Sequence, residues 1–156
     1  MLYFAYGSNM DWKQMKDRCP SAKFVCVAKL KNYKLAFTRE CKKGYGVSDI
    51  IRANRSHVWG VVYQIGEDDL GCLDHLEGYQ PQRLENAYQR MEIMVFFKEG
   101  DTEKPLTVSA YEVVNDNKTG KNLKTSKDYK NKIIRGARFW KLPPNYMKKL
   151  KGIKVK

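Results

Sequence analysis

Two short stretches carry residue types whose order suits chemistry. The first is Tyr6-Gly7-Ser8-Asn9, which ends the apolar run beginning at Leu2. A strand that stops at a glycine and turns into a helix leaves backbone N–H groups free at the helix start. Such groups attract a carboxylate or phosphate through hydrogen bonds and the helix dipole together. Ser8 adds a hydroxyl, and Gly7 lets a ligand lie close to the backbone; an ordinary strand–turn–helix joint has the same composition. The second stretch is Leu73-Asp74-His75-Leu76-Glu77-Gly78-Tyr79. Glu77 falls in the last turn of an expected helix, where the dipole disfavours negative charge. Burial at that place would raise a carboxyl's pKa and let one group serve as acid and base in turn. A surface glutamate ahead of a helix-ending glycine has the same local pattern, and Asp74 reads as solvated.

The elements that must position these residues follow from periodicity and punctuation. Residues 2–6 form a short β-prone run, and Ser8 or Asn9 is placed to cap a helix over 10–18, with Asp11 in its first turn and Pro20 beyond its end. Runs 24–30 and 33–38 are strand-like and separated by Lys31-Asn32, which predicts a hairpin. Residues 39–56 read as irregular. HVWGVVYQI (57–65) is the strongest strand signal, and Gly60 within it indicates a bulge or a close backbone approach. Asp68 or Asp69 opens the helix that leads to Glu77, and Gly78 ends it. Met91, Ile93, Val95 and Phe97 alternate with Arg90, Glu92 and Met94 as in a half-buried strand, and 106–114 returns as another. Ser126 caps a helix to about residue 134, and Pro143-Pro144 starts a last helix carrying Met147, Leu150 and Ile153 on one side. Strands dominate, joined by short turns with helices inserted between and after them. This is an α+β pattern around a mainly antiparallel, barrel-like sheet rather than a regular βαβ alternation.

Composition narrows the function classes. A chain of 156 residues with 10 Tyr, 6 Phe and 3 Trp suits one packed domain, 1–156. No run reaches the roughly 20 apolar residues of a spanning helix, so no membrane partner is expected. MLYFAYGSNM reads as a strand and turn rather than a signal peptide. Cys19, Cys26, Cys41 and Cys72 form no CxxC pair, and His57 and His75 lie far apart, which argues against a zinc site or a redox pair. Reduced structural thiols and a cytoplasmic location are expected. The chain matches neither the GxGxxG nor the P-loop fingerprint. The net charge of +13 lies in residues 117–156, which hold 14 basic side chains and one acid, Asp128. Such a block is either a solvated face or an attractor of anions. Residues 147–156 read as a basic tail.

The segments YFAYGSN (3–9), PSAKFVCVAKLKNYKLAF (20–37), VWGVVYQI (58–65) and LDHLEGY (73–79) resemble the γ-glutamylcyclotransferase family. YKNKIIRGA (129–137) and LPPNYMKKLKGI (142–153) extend the resemblance over nearly the whole chain. It implies a small antiparallel β-barrel with short helices packed around it. It also implies a reaction: the α-amine of a γ-glutamyl amide attacks its own γ-carbonyl, giving 5-oxoproline and a free amine. Carried over by position, the substrate loop is Tyr3, Phe4, Ala5, Tyr6, Gly7, Ser8 and Asn9, the acid/base is Glu77, and the pocket tyrosines are Tyr88, Tyr111 and Tyr129. The implied partner is a small γ-glutamyl substrate, with no metal and no cofactor. Nucleic acid is not expected to bind, and a homodimer is left open. Two alternatives stand beside this reading. One is a sibling cyclotransferase acting on γ-glutamylamines or an antibiotic intermediate. The other is a basic nucleic-acid or anion-binding module without enzymatic activity.

Overall fold

In this computed structural model, residues 1–77 and 86–156 are described. Gly78 and Tyr79, the end of the second motif, lie outside them. Five strands carry the fold: β1 (Leu2–Ala5), β2 (Lys23–Glu40), β3 (Gly46–Gln64), β4 (Tyr88–Glu99) and β5 (Thr102–Val113). Four α-helices accompany them: α1 (Trp12–Arg18), α2 (Glu67–Leu76), α3 (Lys127–Phe139) and α4 (Pro144–Lys151). The result is an α+β fold with a mainly antiparallel five-stranded sheet.

The long β2–β3 hairpin forms the greater part of the sheet. β1 runs antiparallel along the second half of β3, with Ala5 opposite Val61, and β4 and β5 form a second hairpin. β4 touches β2 at Phe96 and Lys29, while β5 meets β1 in parallel at Ser109 and Tyr3. The strand order β1-β3-β2-β4-β5 therefore returns to its start. Successive side chains on β1 point to opposite faces. Phe4 joins Ile50, Val58, Val95 and Val108 in a core drawn from strands alone. Tyr3 and Ala5 join Met10, Met15, Tyr63, Ile133 and Leu150 in the core between sheet and helices.

Several sequence expectations hold. The 91–97 alternation lies within β4, the expected 106–114 strand falls in β5 up to Val113, Ser126 caps α3 by accepting from Tyr129 N at 3.1 Å, and Pro144 opens α4. Others need correction. Lys31-Asn32 is not a hairpin turn: Asn32, at φ 65°, sits in a register slip inside the single strand β2. Asn tolerates that left-handed backbone, so a bulge carries the same local signal as a turn. Residues 39–56 are not irregular but hold the end of β2, a tight turn and the start of β3. The cap of α1 is Asp11, whose carboxylate accepts from Lys13 N at 3.3 Å, because Ser8–Met10 already form a separate 3₁₀ turn. Gly66 precedes α2, and the Asp69 carboxylate instead takes the Ser21 amide at 2.7 Å.

The basic C-terminal stretch is not a loose tail. Leu150 is fully buried, Thr125 and Val155 form a parallel bridge, and Lys130 Nζ donates to the carbonyls of Lys151 and Ile153.

Gly60 marks a close backbone approach. A Cβ built there would lie 2.4 Å from the Ala5 carbonyl oxygen and 2.8 Å from the Phe4 ring. The obstacle on one side is strand backbone, which cannot give way cheaply. Gly60→Ala is expected to cost about 1–3 kcal/mol of stability as overpacking, read as a lower urea midpoint. An unchanged midpoint would mean that β1 can move off β3.

Candidate active site

The turn after β1 is held from all sides. The carbonyl of Asn9 accepts from the Tyr63 hydroxyl at 3.0 Å, and that of Met10 accepts from Trp140 Nε1 at 3.0 Å. Trp140, just past α3, also stacks on Phe24, with ring centroids 4.2 Å apart. The Asn9 side chain is buried and used at both ends. Its Nδ2 donates to the Tyr3 hydroxyl at 3.0 Å and to Glu77 Oε1 at 3.4 Å. Its Oδ1 accepts from Gln14 Nε2 and from Arg18 Nη1, each at 2.9 Å. Gln14 Nε2 also reaches Ser8 Oγ at 2.9 Å, and Lys132 Nζ holds Gln14 Oε1 at 2.9 Å.

This turn forms one wall of a cavity of about 230 Å³. Tyr3, Tyr6, Gly7, Ser8 and Asn9 line it, and Glu77, Tyr88, Tyr111 and Tyr129 close it from the other elements. Phe4 and Ala5 do not line it. Phe4 faces the strand-only core and Ala5 packs under the helices, as strand alternation requires. The Tyr129 hydroxyl, from α3, meets Ser48 Oγ at 2.8 Å and accepts from Ser48 N at 3.1 Å, while the Tyr88 hydroxyl donates to Ser48 O at 2.9 Å. The Tyr6 hydroxyl donates to the Tyr111 carbonyl. Burial pushes the hydroxyls of Tyr3, Tyr6, Tyr88, Tyr111 and Tyr129 above the ordinary tyrosine pKa, so each stays a neutral hydrogen-bonding group.

Glu77 is the C-cap of α2, and its own N–H returns to Leu73 O at 3.0 Å. The residue is half-buried overall, but its carboxyl is turned inward to Asn9. Desolvation lifts that carboxyl from 4.5 to about 7, with Arg18 pulling it down and Asp74 adding a smaller upward push. Asp74 is not the solvated residue that its spacing suggested. It is buried, accepts from the Tyr111 hydroxyl, and pairs with Arg90 Nη1 at 2.7 Å. This clamp ties α2 to β4 and β5 one turn before Glu77.

Sequence reasoning missed Arg18, Arg39, Tyr45 and Ser48, all of which line the cavity. Arg18 ends α1 nine residues after Asn9, with no motif to mark it. The other three lie at the β2–β3 turn that was read as irregular. Cys72 and His75 are exposed and do not line the cavity.

Because folding raises the Glu77 pKa, its contribution to stability is present below about 4.5 and lost as pH rises through about 7. Wild-type protein should therefore lose stability relative to Glu77→Gln across that window. Urea midpoints of the two proteins at a series of pH values read this directly. Parallel curves would mean that the carboxyl is solvated.

The sequence profile of the family described as "Gamma-glutamyl cyclotransferase, AIG2-like" matches residues 3–131. The gamma-glutamylcyclotransferases of Homo sapiens and Mus musculus are each 35% identical to the chain, covering 97% of it and 78% of their own lengths. A solved structure titled "Gamma-glutamyl cyclotransferase" superposes with a TM-score of 0.87 at 33% identity, over 100% of this chain and 89% of that one. At 24% identity, Bacillus subtilis YkqA shares the fold, with a TM-score of 0.78 over 100% of this chain and 56% of its own.

Proposed function

The chain belongs to the gamma-glutamyl cyclotransferase, AIG2-like family, and we propose that it cyclises γ-glutamyl amides with Glu77 as the acid and base. The observation that carries this reading is a carboxyl held near neutrality on one side of a small cavity, opposite the turn at Gly7–Asn9. The closed strand order is read as the small barrel that carries this site.

The substrate, H₂N–CH(COO⁻)–CH₂–CH₂–CO–NHR, brings its own nucleophile. What the protein must supply is a folded substrate chain and a route for protons; the tether already keeps the two reacting ends in one molecule, and the protein adds their orientation. The α-amine arrives protonated, and Glu77 takes a proton from it. The α-nitrogen then bonds to the γ-carbon, and the carbonyl oxygen takes up negative charge. Collapse breaks the bond to the leaving nitrogen. The ring nitrogen sheds two protons between start and finish, and the leaving nitrogen gains two. Glu77 therefore cycles twice, and a pKa near the working pH suits both directions of transfer. The backbone amides of Gly7, Ser8 and Asn9 supply donors for the α-carboxylate and the developing oxyanion, and so does the Tyr3 hydroxyl, whose proton has no acceptor among the described residues. Arg18 lies beside Glu77 and Asn9, where it favours the substrate's carboxylate. The four free thiols suit a reducing compartment such as the cytoplasm.

Glu77→Gln should abolish 5-oxoproline release, a fall in kcat of roughly a hundredfold to ten-thousandfold or more, with the fold kept by circular dichroism. A fully active variant would remove the mechanism.

Gly7 tests the turn. A Cβ there would meet Ser48 Oγ at 2.1 Å and stand 3.7 Å from the Tyr129 hydroxyl, inside the space the substrate needs. Gly7→Val should raise KM at least tenfold, on the order of the discrimination that a few atoms of lost fit produce in a pocket. Normal kinetics would make the turn a mere connector.

A further inference from the structure

A second cavity, of about 380 Å³, lies between the middle of the β2–β3 hairpin and the end of α4. It shares no lining residue with the one around Glu77. Its floor is apolar: Leu35 and Phe37 come from β2, Leu123 from the segment before α3, and Tyr146, Leu150 and Ile153 from α4 and the residues after it. Tyr146 offers only its ring, because its hydroxyl is shut off from solvent and turned to the Trp59 backbone.

The backbone fixes the walls of this groove. The segment before α3 is strapped to the hairpin: Leu123 N donates to Phe37 O at 2.8 Å, the Asn122 side chain accepts from Phe37 N at 2.8 Å, and Gly46 N donates to Lys124 O at 2.9 Å. The chain after α4 is held in turn by Thr125 N donating to Lys154 O at 3.1 Å and by the parallel bridge of Thr125 and Val155. A bulge shapes the rim. Residues 53–56 of β3 oppose only Asn32 of β2, and Ser56 and His57 at the end of this bulge line the opening.

Charge says what the groove accepts. Every charged residue that lines it is a lysine: Lys34 on β2, Lys149 on α4 and Lys154 beyond it. All three are exposed, and among the described residues none is in an ion pair. The dipole at the end of α4 accounts for Lys149 but not for Lys34 or Lys154, which stand on other elements. Lysine stems lie along apolar surface while their heads stay free to close on an anion. The branched aliphatic floor suits a hydrocarbon chain, whereas stacked bases need flat aromatic faces. An apolar pocket of this size with a few polar groups at its edge is the usual form of a small-molecule site. We propose that the groove binds a carboxylate of the fatty-acid class, with its chain on Leu35, Leu123, Leu150 and Ile153 and its head among Lys34, Lys149 and Lys154. The site is separate from the cyclisation and does not depend on it.

The test titrates the whole chain with octanoate, below its micellar concentration, in a calorimeter. One molecule per chain is expected to bind, and each added methylene from hexanoate to decanoate should tighten binding roughly threefold to fourfold. 1-Octanol, which lacks the charge, should bind roughly tenfold to a hundredfold more weakly, the range of a charge-assisted contact. Lys149→Gln and Lys154→Gln combined should weaken octanoate by a similar factor and leave 1-octanol unchanged, a split that damage to the fold does not produce. Arg18→Gln, in the cavity around Glu77, should leave octanoate binding as it is. The absence of saturable binding overturns the proposal, as do a flat chain-length series, equal affinity for 1-octanol, or a double lysine variant that binds like the wild type. Loss of binding in Arg18→Gln would put the carboxylate in the other cavity and overturn it as well.

Discussion

The structure depends on one side-chain amide. Asn9 sits at the bend between the first strand and the first helix, and its two ends bind in opposite senses. The nitrogen points at Tyr3 and Glu77 as a donor, and the oxygen receives Gln14 and Arg18. An amide offers two donor hydrogens and two acceptor lone pairs on separate atoms at the end of one short stem. A carboxylate at this place would repel Glu77 and leave Tyr3 to reverse its hydroxyl. The bend, the acid and the first cation are thus registered to one another through a single planar group, buried where water cannot compete for its bonds.

Apart from Arg18, Arg39 and Glu77, the fold lines the space around that amide with neutral groups. Tyrosine hydroxyls from β1, β4, β5 and α3 converge on one space, and burial keeps each of them neutral. A wall of neutral donors and acceptors can follow a reacting centre whose charge moves, whereas a wall of ions would favour one stage only. The buried acids are handled in the opposite way. Asp49 is saturated by Thr38, the Val113 amide and Lys118, and Asp74 by Tyr111 and Arg90. Glu77 has the weakest anchorage of the three, with Asn9 at 3.4 Å, which leaves its proton free to exchange.

Much of this was legible in the residues alone, and the limits have physical causes. The turn at Gly7–Asn9 and Glu77 carry local punctuation signals and Tyr129 lies in a quotable segment, whereas Tyr88 and Tyr111 came from the family resemblance alone. Residues 39–56 failed because their message is split. Slips at Lys31/Tyr33 and Phe37/Arg39 break the two-residue alternation that marks a strand, and the glycines of GYG sit where a turn meets a strand. Ser48 and Arg39 therefore had no period to point them inward. Asp74 was misjudged for another reason. Its partners, Tyr111 and Arg90, lie 37 and 16 residues away, and no window over α2 contains them. Phe4 and Ala5 show the converse: inclusion in a contiguous motif does not put every residue on the motif's working face.

One tie described above has an optical consequence. The indole of Trp140 donates to the Met10 carbonyl, at the far end of the bend that Asn9 organises, and its face is covered by Phe24. Indole emission responds to the polarity around the ring and to the dipole its N–H engages. Any loosening of the bend that frees that carbonyl also exposes the ring's edge to solvent. Trp140, one of the chain's three tryptophans, thus gives the molecule a built-in optical report on whether that bend is formed, with no label attached.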